Sequence, residues 1–144
     1  MRQLKLAGIG VLVAATVLAL GFLWGARGRW AAEERLALVE QQLLLSDARR
    51  ATYAGSLELQ KLNFGAAAGH FEAARADSDQ ARLRFEAAGE TARAEQAGTA
   101  AGLLNEARSL CARLDQAAGE RAQRAARSLE QAAQPSPRDA KSAR

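Results

Sequence analysis

Cysteine, histidine, proline and β-branched residues are nearly missing from these 144 residues, and each shortage excludes something. A single cysteine, Cys111, leaves the chain no intramolecular disulfide. It falls in the apolar phase of ARSLCARLD and reads as a small buried hydrophobe. The only histidine, His70, removes any His pair or His-containing metal cluster, and it lies on the flank of an apolar stripe. Only two prolines occur, both near the end. After Val17 the β-branched residues are Val39, Thr52, Thr91 and Thr99 alone. Alanine, leucine, glutamate, glutamine and arginine dominate, all good helix formers, so the expected class is all-α.

Catalytic patterns are also missing. There is no phosphate-cradling loop, no GxSxG and no HExxH. Asp77-Ser78-Asp79 looks like a short acidic metal motif. In a helix, however, its two carboxylates point to different faces. A Cys111/His70 nucleophilic pair would have to join two separate helices. No enzyme activity, metal, cofactor or small-molecule substrate is therefore expected.

Charge is unevenly spread. Residues 1–29 carry +4, residues 30–120 carry −4 and residues 121–144 carry +4. The basic balance thus sits at two ends around a mildly acidic body. Nucleic-acid binders more often carry it on the folded body, so nucleic acid is not an expected partner.

What is present starts with an uncharged run from Leu6 to Ala26. As a helix it would rise about 31 Å, close to the thickness of a bilayer core. Trp24 and Trp30 stand at its far end, where aromatic residues favour the interface. The run is longer than the apolar region of a signal peptide, and arginines flank the poor cleavage site Ala26-Arg27-Gly28. Residues 1–29 are therefore expected to form a retained single-pass anchor in the lipid bilayer of a bacterial inner membrane. Flanking positive charge is nearly balanced. The short lead before the run favours a signal anchor with the helical body outside the cytoplasm. Gly10, Ala14, Val17, Gly21, Gly25 and Gly28 recur at helical spacing, and Gly21–Gly25 is a GxxxG. This is a candidate face for transmembrane association.

The body, residues 30–133, reads as three helices over about 30–61, 64–88 and 91–133. A disordered basic tail over 134–144 follows. In the first helix, Leu44, Ala48, Ala51, Gly55, Leu59 and Leu62 form one stripe, and Leu36, Val39 and Leu43 a second. Asn63 is a candidate N-cap for the second helix. That helix carries Phe64, Ala67, Phe71, Ala74, Ser78, Ala81, Phe85 and Ala88, alternately three and four residues apart. This is the 3.5-residue repeat of a helix packed lengthwise on another. Gly89 offers a stop and Thr91 a new start. In the third helix the apolar phase runs through Ala100, Leu103, Leu104, Ala107, Leu110, Cys111, Leu114, Ala117 and Ala118, then weakly through Ala122, Ala125 and Leu129. Short turns make neighbouring helices antiparallel, so the Phe/Ala seam is expected to face its own chain. An intermolecular coiled coil is the alternative that heptads equally permit.

Gly55 stands twelve residues before Ala67, Phe71 and Ala74 follow at +4 and +3, and Phe64 is an aromatic three residues before Ala67. In this pattern residues 51–74 resemble one tetratricopeptide repeat. Ala51, Glu58 and Asp79 stand where that repeat carries a bulky residue, an aromatic and a proline. The resemblance implies a helical hairpin and a peptide-recognising adaptor role.

Arg121, Arg124 and Arg127 recur every three residues. They read as a solvated helix end matched to the dipole of a C-terminus, or as a contact for an anionic lipid or polysaccharide surface. Taken together, these features predict a membrane-anchored helical scaffold that holds a protein partner, or itself, in place.

Overall fold

The computed structural model describes residues 35–134, which form helices joined by short connections. The chain divides into two compact units, Met1–Val39 and Glu40–Arg144. Of the first unit only 35–39 are described, and they are helical and exposed. The membrane anchor expected over 6–26 and its Gly10, Ala14, Gly21 and Gly25 face lie outside the described residues, as does nearly all of the tail. Among the described residues no helix is long and apolar enough to cross a membrane.

Four helices occur among the described residues: α1 over 35–60, α2 Phe64–Ala87, α3 Thr91–Cys111 and α4 Ala118–Ala133. The third helix expected over 91–133 is thus two. The chain leaves α3 through a turn in which Leu114 N–H donates to Cys111 O (2.9 Å) and Asp115 N–H to Leu110 O (3.0 Å). This pair of hydrogen bonds is the Schellman ending, which needs one residue at positive φ. Leu114 takes that place at φ 55°. Asp115 Oδ1 then accepts from Ala117 N–H (2.9 Å) and leads into α4. The same ending closes α1, with Leu62 at φ 59°, and α2, with Gly89 at φ 72°. Asn63 caps α2 by accepting from Ala66 N–H (3.3 Å).

Contacts between helices fix an up-down-up-down bundle. Glu40 pairs with Arg84 across α1/α2 (3.3 Å), Glu72 with Arg108 across α2/α3 (3.4 Å), and Glu106 with Arg121 across α3/α4 (3.1 Å). Tyr53 donates to Glu130 (3.1 Å), which brings α4 back beside α1. An early position of one helix meets a late position of its neighbour in each ion pair, as short turns require.

One continuous core runs through the bundle. On α2 it takes Ala67, Phe71, Ala74, Ser78, Ala81 and Phe85. Phe64 is half-buried at the edge. Ala88 is exposed, because it lies in the turn after the last helical residue. Ser78 is fully buried, and its hydroxyl donates to Ala74 O (2.7 Å), so this polar seam position is satisfied within its own helix. On α1 the buried line is Gln41, Leu45, Ala48, Thr52 and Gly55. Leu44, Ala51 and Leu59 flank it, and Leu62 is exposed in the turn. The α1 seam is therefore rotated from the one expected. Thr52 fits because it donates to Ala48 O (2.7 Å), the same device as Ser78. Gln41 Oε1 is buried with no hydrogen-bond partner among the described residues.

Candidate functional site

Each chemically capable side chain has a structural place. Cys111 is buried in the core, and burial pushes its thiol pKa up, away from the reactive thiolate. His70 is half-buried on α2 and lies near Glu58 rather than Cys111. Glu58 is held below its usual pKa, chiefly by the Lys61 ammonium that donates to it (2.7 Å), with Asn63 as a second donor (3.0 Å). Asp79 accepts from Arg75 (2.8 Å). Asp77 stands apart, half-buried, its carboxyl raised first by burial and then by the charge of Asp47 on α1. The two carboxylates of the Asp77-Ser78-Asp79 stretch thus serve different neighbours. No group of three or more metal-ligating side chains occurs among the described residues.

The concave surfaces are shallow. One groove of about 310 Å³ lies between α1 and α4, lined by Ser56, Leu59, Gln60, Leu62, Gln116, Gly119 and Gln123. These groups can donate and accept hydrogen bonds, but none titrates near neutral pH. The groove offers amides and leucines, not an acid, a base or a nucleophile.

The three arginines of α4 do not form one row. Steps of three residues drift around a helix by about 60° each. Arg121 turns to Glu106 of α3, while Arg124 and Arg127 stay exposed. Because α4 starts at Ala118, Arg121 sits in its first turn, the end where the dipole disfavours a cation. The ion pair across α3/α4 accounts for this arginine better than the expected match to a helix C-terminus.

The most unusual surface is on α1. Leu43, Tyr53 and Leu57 are each more than half exposed, opposite the Leu45–Ala48–Thr52–Gly55 line. Leu36, Leu38 and Val39 are likewise exposed. The sequence showed Leu36, Val39 and Leu43 as a second stripe. Tyr53 and Leu57 continue its spacing and were missed, because Ser46 and Arg50 interrupt the apolar run. Comparison with protein-family models, curated proteins and solved structures gives no match to this chain.

Proposed function

We propose that the protein is a membrane-anchored, non-enzymatic helical scaffold that holds a protein partner, or another copy of itself, beside a bilayer. One observation carries the interaction reading: opposite the buried line of α1, Leu43 and Leu57 stay more than half exposed on either side of Tyr53, whose hydroxyl is held by Glu130 of α4. A helix that served only to complete the bundle would be polar on its outer face. The Leu6–Ala26 run supports the anchor, since its length and lack of charge suit a bilayer core. A second reading, a peptide adaptor, draws on the packing of Gly55 against Phe71. That is a small-against-aromatic contact of the kind the tetratricopeptide resemblance implies.

The test uses the full chain in its native membrane, with a photo-crosslinker placed at Leu43 or Leu57. Carbonate-resistant membrane association and a discrete cross-linked species, captured under denaturing conditions, are expected. Release by carbonate would overturn the anchor. A chain that yields no cross-linked species from either position would overturn the scaffold.

A further inference from the structure

The edge along which α1 meets α2 is set residue by residue. On α1, Glu40 and Asp47 stand one position before the buried Gln41 and Ala48. On α2, Arg84 and Asp77 stand one position before the buried Phe85 and Ser78. Glu40 pairs with Arg84 (3.3 Å), which fixes the antiparallel register of the two helices. One heptad along α1 and one heptad back along α2 therefore bring Asp47 opposite Asp77. A further step brings Ala54 opposite His70, and the register holds there, since Gly55 packs against Phe71. The first rung of this edge is acid against base, and the second is acid against acid. Both aspartates are half-buried, and neither takes part in an ion pair among the described residues. Neighbouring charges leave the rung unrelieved. On α2 the positions three and four residues from Asp77 are Ala73, Ala74, Gln80 and Ala81. Arg84 is engaged by Glu40, and His70 lies near Glu58. On α1, Arg49 acts on Tyr53 and Arg50 is exposed. From α3, Arg108 reaches Glu72, on the opposite edge of the α2 seam.

We propose that Asp47 and Asp77 form a proton-operated clasp across the α1/α2 edge. With both carboxylates ionised the rung pushes the two helices apart, and with one proton on the pair it holds them. The clasp rests on the fold alone, whatever the bundle binds. Two facing carboxylates partly withdrawn from water resist the second ionisation, so the proton belongs to the pair rather than to either residue. Burial first, and then the Asp47 charge, raise the Asp77 carboxyl. A group whose pKa is higher in the folded chain than in the unfolded one takes up its proton on folding. Its contribution to stability is fully present below the ordinary aspartate pKa of about 3.9 and is lost as pH rises through the raised value. Glu58 and Glu72 act in the opposite sense, since Lys61 and Arg75 hold them below their usual values. The pH profile of the whole bundle therefore mixes both signs, and the clasp shows in the difference between variants.

The experiment takes the full chain in mild detergent and follows thermal melts from about pH 7 down to about pH 4. Asp77→Asn keeps the shape of the side chain and removes its charge. At neutral pH this variant should melt above the parent, and the gap should close as pH falls, because the parent then carries the proton itself. Asp47→Asn should give part of that gain, since burial still penalises the Asp77 charge, and the double variant should match Asp77→Asn. Asp79→Asn is the control on the other edge of α2. It gives up the bond from Arg75 (2.8 Å) and should melt below the parent at neutral pH. Carboxyl-resolved NMR of the parent should place the Asp77 midpoint above the ordinary aspartate value, and Asp47→Asn should bring it down toward that value. Asp77→Asn melting at or below the parent at neutral pH would overturn the clasp, as would a gap that stays the same at every pH. An Asp77 midpoint that Asp47→Asn leaves unmoved would overturn it too, by leaving burial as the whole cause.

Discussion

Gly55 is the glycine whose missing side chain makes room for a core residue. A Cβ built there would lie 2.5 Å from the Phe71 ring, closer than atoms can stand. Phe71 is fully buried, so its ring has nowhere to turn. Two effects compete in Gly55→Ala. Alanine favours the helix by about 1 kcal/mol, and overpacking a tight core costs about 1–3 kcal/mol. Because the clash is with a ring locked on all sides, overpacking should win. Chemical denaturation should show Gly55→Ala less stable than the parent, while Gly69→Ala, where a Cβ meets nothing, should be more stable. Phe71→Ala should cost about 3–5 kcal/mol. Paired with Gly55→Ala it should lose less than the two separate costs combined, because the small side chain then occupies part of the space the ring vacates. Full additivity would mean the two residues do not touch.

At the level of the helices, the three-residue and four-residue rhythms of the sequence are readable, and the ends only partly so. The α2 seam was legible because a Phe or Ala stands at nearly every position of a 3.5-residue grid. Asn63 and Gly89 were legible because their residue types suit a cap and a positive φ. The break after α3 was hidden. Its left-handed position is filled by Leu114, and the apolar phase from Leu110 through Leu114 keeps helical spacing across the break. Asp115 was the remaining signal, a good N-cap residue whose side chain does meet a backbone N–H. The α1 seam was misplaced for a related reason. Thr52 and Gln41 are polar by type, yet they face the core. Both leucines at positive φ are strongly exposed, so glycine there gives up no packing. A left-handed leucine costs roughly 1–2 kcal/mol in backbone strain, and part of that gain is lost to the greater freedom of glycine in the unfolded chain. Leu62→Gly and Leu114→Gly should each stabilise by about 0.5–1 kcal/mol, and their effects should add, since they occupy different turns. Thermal melts of the two single variants and the double variant check this. A lower melting temperature in either single variant would mean the leucine makes a contact that holds its turn.

Across the whole molecule, stability and register come from different sources. Among the described residues, fourteen of the twenty buried apolar ones are alanine, so the helices approach closely and few side chains are large. Leu45, Phe71, Phe85, Leu104 and Leu129 supply most of the bulk, which makes each of them expensive to truncate. The ion pairs Glu40–Arg84, Glu72–Arg108 and Glu106–Arg121 join successive helices, but all six side chains stay well exposed. Exposed pairs of this kind contribute about 0.2–1 kcal/mol at most, and salt screens them. Their value is in choosing which positions meet, which the antiparallel topology already restricts. Losing a fully buried leucine costs about 2–5 kcal/mol. For a domain of this size, 1 kcal/mol moves the melting temperature by roughly 4–8 °C. Leu104→Ala should therefore lower it by roughly 10 °C or more. Raising NaCl from 0.05 to 1 M, concentrations at which the Debye length falls to about 3 Å, should shift it by only a few degrees. If salt instead melted the bundle as effectively as Leu104→Ala, the interhelical charges would be holding it together and the alanine-rich core would be secondary.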